Sequence, residues 1–492
     1  MRSSGILMHI SSLPGPYGVG TMGKEAYGFV DFLKEAGQSH WQILPLTPTG
    51  YGDSPYQSCS TFAGNLNLID LDLLVEEGLL QKEELAGIHW CDSEEKVDFG
   101  LLYINRPRVL RSAFRRFAGS AEYDSFCSDN ASWLPDFALF MALKDRSGGE
   151  PWYRWEQGLK FRQEEALEKA RLELGEEIRF YSFIQYLFHK QWMALRAYAA
   201  EQGVRIIGDV PIYVPLDSVE VWTAPELFQL DEQLTPTAVA GCPPDAFSAD
   251  GQLWGNPLYR WEKHKQDNYS WWIRRLKAAG EWYDVIRIDH FRGFESYWSI
   301  PYGDTTAGRG HWVKGPDKDF IRSLQEQLPQ LRFIAEDLGY LTDEVKQLRD
   351  ASGYPGMKVL QFAFDPREPS NYLPHTYTSN SVCYTGTHDN LTMRQWFETV
   401  GPEGVAWARD YMRLTEEEGY VWGTIRTAMA TVSDLCVIQM QDLLNLDGKS
   451  RMNCPGTLSD CNWTWRMKDG IITKCLSGRL WDLTNLYARL AQ

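Results

Sequence analysis

The chain has 492 residues, with 49 Lys and Arg against 66 Asp and Glu for a net charge of −17, and 43% hydrophobic residues. That is the composition of a globular protein long enough for a large core, and not of a disordered or fibrous one. The negative balance argues against docking on nucleic acid or an anionic membrane, because Coulomb repulsion would oppose contact.

In chain order, short β-rich runs ending in polar or turn residues fall at 5–10, 41–46, 205–210, 285–290, 332–337, 358–364, 381–386 and 434–440. Such runs read as strands buried on both faces. Helical patterns separate most of them. One runs over 342–350, with Thr342 as N-cap, acidic Asp343 and Glu344 in its first turn, and Gly353 and Pro355 closing it. Eight strands alternating with helices predict an α/β fold, a (β/α)8 TIM barrel, which usually takes about 250 residues. The excess residues fall mostly in two places. The spacing predicts one catalytic barrel domain over 1–492, with subdomains inserted after strands 2 and 3, at about 47–204 and 211–284, and packed on the barrel.

The nine cysteines are odd in number, scattered and free of any C-x-x-C pair, so neither a disulfide framework nor a zinc ribbon is encoded. The apolar run Ile6-Leu7-Met8 is too short for a signal-peptide core, and no run approaches the roughly 18 residues that span a bilayer. A cytoplasmic protein with reduced thiols is expected. Cys454 and Cys461 read as buried thiols. Twenty tryptophans divide evenly, as a count, between a Trp-rich core and a site for flat, partly apolar ligands.

Gly18-Val19-Gly20-Thr21-Met22-Gly23 matches the dinucleotide-binding pattern G-x-G-x-x-G. Seven residues, two of them prolines, separate it from the first strand, and the second strand ends in Leu44-Pro45-Leu46 with no carboxylate. A dinucleotide site is therefore not predicted.

The ends of the predicted strands carry the stronger signal. The third ends in Gly208-Asp209-Val210, the fourth in Arg287-Ile288-Asp289-His290, the fifth in Ala335-Glu336-Asp337, and the seventh runs into Thr387-His388-Asp389-Asn390. In a barrel the C-terminal strand ends converge, so these acids meet at one mouth. Converging carboxylates could hold a metal ion, but Arg287, on the same strand face as Asp289, would compete with it. The alternative is glycosidic-bond chemistry, which needs one ionised carboxylate and one protonated one. Arg287 is expected to lower the pKa of Asp289, and neighbouring acids to raise that of Glu336. No metal and no organic cofactor is called for.

These residues closely resemble the amylomaltases, the 4-α-glucanotransferases or disproportionating enzymes of glycoside hydrolase family 77 in the α-amylase clan. The markers span nearly the whole chain: Ser11-Ser12-Leu13-Pro14, Tyr51-Gly52-Asp53-Ser54-Pro55-Tyr56, Gly208-Asp209-Val210-Pro211-Ile212, Trp254-Gly255-Asn256-Pro257, Arg287-Ile288-Asp289-His290-Phe291-Arg292-Gly293, Ala335-Glu336-Asp337-Leu338-Gly339, Thr387-His388-Asp389-Asn390 and Asn453-Cys454-Pro455-Gly456-Thr457. The resemblance implies Asp289 as nucleophile, Glu336 as general acid and then base, and Asp389 as the third carboxylate, which grips sugar hydroxyls. It implies Arg287 and His388 as companions, Asp209 as support, and Tyr56 and Trp254 in the substrate grooves, with Tyr51 and Ser54 as further candidates. Packing within their loops is the alternative for Trp254 and Tyr51. The substrates implied are malto-oligosaccharides and α-1,4-glucans, with no obligate protein partner. An α-1,4-glucan hydrolase of the same clan is the nearest alternative function, since water and a sugar hydroxyl attack the same intermediate.

Overall fold

The computed structural model describes residues 2–50, 52–244, 250–339, 341–365 and 372–490. Eight strands close into a parallel barrel: β1 (Ser3–Leu7), β2 (His40–Gln42), β3 (Arg205–Val210), β4 (Val285–Ile288), β5 (Phe333–Ala335), β6 (Gly356–Val359), β7 (Ser381–Tyr384) and β8 (Leu435–Gln439). Spatial order follows chain order, and β8 pairs with β1, Leu435 opposite Ser3 and Gln439 opposite Leu7. All eight predicted strands are present. Several end sooner than the sequence suggests, so the acids at their ends stand just beyond the ladder rather than in it. The helix predicted after β5 is Asp343–Ser352, with the Thr342 side chain accepting the Val345 N–H and Gly353 in the left-handed region at φ 69°.

Apolar side chains explain the barrel's closure. Ile6, Trp41, Ile206, Ile207, Ile286, Ile288, Ile334, Val359 and Val437 are all buried. Around them pack amphipathic helices such as Lys24–Glu35, whose inner face holds Ala26, Phe29, Val30 and Leu33.

Between β2 and β3 the chain is helical, and it ends in the 27-residue helix Gly175–Glu201. Two glutamines of this helix hold the incoming chain by paired backbone bonds. Gln185 accepts from Gly64 N at 2.7 Å and donates to Gly64 O at 3.0 Å, and Gln191 does the same to Asp70 at 2.7 and 3.1 Å. Gly64 has no substitute here, since a Cβ would fall 2.1 Å from the Phe188 ring.

A second, antiparallel sheet lies outside the barrel. Its strands are, in spatial order, Gln252–Pro257, Ala238–Cys242, Ser296–Pro301 and His311–Lys314. Thus the excursion after β3 and one after β4 share a sheet, and the latter is not foreseen from sequence. Ser296–Pro301 becomes a strand by pairing with Ala238–Cys242, some sixty residues away, a contact that local periodicity does not report. No described helix is long and apolar enough to cross a membrane. Cys454 is half-buried and Cys461 is exposed, so the expectation of two buried thiols fails: this segment covers the barrel mouth instead of entering the core.

Candidate active site

Asp209 and Arg287 are register partners on β3 and β4, both essentially sealed from solvent. Arg287 Nη1 donates to Asp209 Oδ2 at 2.5 Å and to Asp289 Oδ1 at 3.2 Å. The same Asp209 oxygen accepts the Tyr56 hydroxyl at 2.6 Å. One cation therefore bridges two carboxylates, and the nearer one is not Asp289. Asp289 keeps 28% of its side chain open at the mouth. Burial pushes its carboxyl up to about 7; Arg287 opposes this, while Asp209, Glu336 and Asp389 add to it. Arg287 lowers the carboxyl as expected, but the net shift is upward, because desolvation among three other acids outweighs a cation already committed to Asp209.

Glu336 reaches the same mouth from the end of β5. Its Oε2 accepts the His290 N–H at 2.7 Å and its Oε1 the Leu338 N–H at 2.8 Å. The first bond depends on His290 turning into the left-handed region at φ 53°, directly after Asp289. The Glu336 carboxyl is raised as expected, but chiefly by burial and only slightly by a neighbouring acid, Asp337, with Arg287 and the two amides opposing. The next residue, Asp337, is bound elsewhere, to Arg349 at 2.7 Å and to the Met357 N–H at 2.7 Å. It ties β5 to β6.

Asp389 follows β7. His388 Nε2 lies 3.3 Å from its Oδ2, and Asn453 donates to its Oδ1 at 2.6 Å. Arg451 holds the backbone of both, donating to Asp389 O and Asn453 O at 2.7 Å each. Burial would raise the Asp389 carboxyl, but His388, Asn453 and Arg287 prevail and bring it down to about 2, while Asp389 draws His388 upward against its own burial. Tyr56 stacks on the His388 ring with centroids 5.0 Å apart, and Trp463 packs against both at 5.7 and 5.9 Å.

Trp254, on strand Gln252–Pro257, sets its ring edge-on to His290 at 4.8 Å, beside Asp289. Ser54 serves a turn, its Oγ accepting the Tyr56 N–H at 3.2 Å. Tyr51 lies outside the described residues. The strand ends therefore gather Asp209, Arg287, Asp289, Glu336, His388 and Asp389, with Tyr56 and Trp254 at the rim.

A family model described as 4-alpha-glucanotransferase, that of glycoside hydrolase family 77, matches residues 8–473. The chain belongs to this family. A 4-alpha-glucanotransferase of Clostridium butyricum is 48% identical over 486 residues, covering 98% of this chain and 100% of that protein. One of Thermus thermophilus is 48% identical over 502 residues, covering 99% of each. Among solved structures, the amylomaltase from Streptococcus agalactiae in complex with acarbose aligns with a TM-score of 0.97 at 44% identity, covering 100% of both chains.

Placed on this family 77 barrel, three residues at the mouth were not singled out as site residues from sequence: Asn453, Arg451 and Trp463. Asn453 opens the recognised Asn453-Cys454-Pro455-Gly456-Thr457 motif, which is a usable signal; Arg451 and Trp463 carried none. The glycine-rich run after β1 packs against its own chain. Gly23 caps helix Lys24–Glu35, and a Cβ there would lie 2.1 Å from the Asp70 carboxylate, so an acid already occupies the helix end that a phosphate would need. Twelve of the twenty tryptophans are buried, Trp41 among them with its Nε1 on Met8 O at 2.7 Å. Most of the tryptophan count belongs to the core.

Proposed function

We propose that this mouth transfers a segment of α-1,4-glucan to the 4-hydroxyl of glucose or of another glucan, with retention, through a glycosyl-aspartate on Asp289. The activity is that of a 4-α-glucanotransferase, and malto-oligosaccharides and longer α-1,4-glucans are the substrates. The observation that carries the reading is the unequal bonding of two neighbouring acids. Asp289 takes the Arg287 guanidinium directly, whereas Glu336 takes neutral amides. Burial raises both carboxyls, and the adjacent cation favours the charge on Asp289, so Glu336 is the one better placed to carry a proton.

In the first step an Asp289 oxygen attacks the anomeric carbon while Glu336 gives its proton to the departing glycosidic oxygen, forming the ester and releasing the shortened chain. In the second step Glu336 takes the proton of an acceptor 4-hydroxyl, whose oxygen displaces Asp289. Asp389, kept ionised, receives sugar hydroxyls and stabilises positive charge at the ring. Arg287, His388 and Asp209 hold these acids in place. Tyr56 and Trp254 offer aromatic faces to glucose rings.

We further propose that residues 1–492 act as one unit, with 47–204 and 211–284 as subdomains packed on the barrel. A cytoplasmic location is favoured by nine cysteines that are odd in number, scattered and free of any C-x-x-C pair. Incubation with maltotriose tests the function. Glucose together with a ladder of longer chains is expected, and shortened sugars alone would indicate hydrolysis.

A further inference from the structure

Asp442 stands apart from the acids at the mouth, yet it bonds both ends of the loop that carries one of them. β7 ends at Tyr384 and the helix Met393–Thr399 follows Thr392. Between them lie His388 and Asp389. Asp442 belongs to the short helix Met440–Leu443 that follows β8, and it is 1% exposed. Its Oδ2 accepts the Thr385 hydroxyl at 2.6 Å, and its Oδ1 accepts the Met393 N–H at 2.6 Å.

Two glutamines complete the arrangement. Gln439 donates to Asp442 Oδ2 at 3.4 Å and to Leu391 O at 3.3 Å, and Gln361 donates to Leu391 O at 2.7 Å. Gly386 makes room for them, since a Cβ there would lie 2.2 Å from Gln439 Nε2. Within the loop, Asn390 Oδ1 accepts from Thr387 N and Thr387 Oγ1 at 2.8 Å each.

Once ionised, above about pH 7, the Asp442 carboxylate is acceptor-only and satisfies donors on both sides, where an amide would set one of its own donors against them. Burial pushes the Asp442 carboxyl up to about 7, against the Met393 amide and the Thr385 hydroxyl. A carboxyl kept in such a place is costly as mere packing.

We infer that Asp442 is a positioning residue for glucan transfer, clamping Thr385 and Met393 so that the loop between them sets the Asp389 carboxylate at the mouth. The inference rests on the assignment of Asp389 to transition-state stabilisation. It is tested on the full-length protein with an α-maltosyl fluoride donor, reading fluoride release and transfer products. Asp442→Asn is expected to lower kcat by roughly 10- to 100-fold, the scale of a misplaced catalytic group, with KM changed by less than about threefold. In an Asp389→Ala background the same substitution is expected to cost less than about threefold more, because the group it positions is gone. Thr385→Val, which removes one clamp bond, gives a smaller loss with the same non-additivity, and it carries the test if Asp442→Asn does not fold. Losses that multiply fully in the Asp389→Ala background, or an unchanged kcat in both clamp variants, overturn the inference. An Asp389→Ala enzyme with unchanged kcat overturns the assignment of Asp389, and the inference with it.

Discussion

Arg287 reaches across from β4 to its register partner Asp209 on β3 at 2.5 Å, and both side chains are almost wholly inside the protein. Removing one member of a buried ion pair strands the other, which costs more than the pair contributes. Asp209→Ala is expected to lose about 3 kcal/mol of stability on that ground, measured by urea unfolding. A loss below about 1 kcal/mol would show that Asp289 alone satisfies the guanidinium.

The same pair affects the chemistry. Asp209 raises the Asp289 carboxyl, and it holds Arg287, which would otherwise lower it further. Asp209→Asn removes the charge and frees the cation, so both effects act downward on Asp289. The acid limb of the kcat/KM profile, which reports ionisation of the nucleophile in the free enzyme, should move to lower pH. A limb that stays put or moves upward contradicts the assignment.

Asn453 holds Asp389 from the other side, at 2.6 Å. Asn453→Ala should raise the Asp389 carboxyl from about 2 and still leave it ionised at neutrality. The loss is then one of position, not charge. We expect kcat on maltotriose to fall about tenfold, as for loss of a hydrogen bond to a charged group, with the shape of the pH profile unchanged. A profile whose acid limb moves into the neutral range would mean that Asn453 governs the charge itself.

What could be read in advance divides along physical lines. Strands buried on both faces announce themselves as continuous apolar runs, so β1 to β8 were legible, and the acids at their ends followed from barrel geometry. Strands Ser296–Pro301 and His311–Lys314 were not, because they form against distant partners. Arg451, Trp463 and Asp442 meet the Asp389 loop only once the barrel closes β8 beside β7. The rise of Asp289 to about 7 was misjudged because burial depth is a property of the fold, whereas the Arg287 spacing is a property of the sequence.

Asp442 also leaves a signature in stability. An unfolded aspartate titrates near 4, and the folded one is pushed up to about 7. The folded state therefore holds an extra proton between those values, and the group's contribution to stability is full below about pH 4 and lost as pH rises through about 7. Asparagine does not titrate. The stability of Asp442→Asn relative to the wild type should accordingly rise by up to about 4 kcal/mol from about pH 4 to about pH 8. Unfolding curves at several pH values check this, and a flat difference would place the carboxyl in its ordinary range.

The central claim is that Asp289 becomes covalently bound to the glucan while Glu336 handles the proton. It is tested most directly by treating Glu336→Gln with an α-maltosyl fluoride, whose leaving group needs no acid, and analysing the digested protein by mass spectrometry. A maltosyl adduct on the peptide containing Asp289, slow to clear in water alone, is the predicted result. An adduct on any other carboxylate, or steady turnover in Asp289→Asn with no adduct at all, would contradict it.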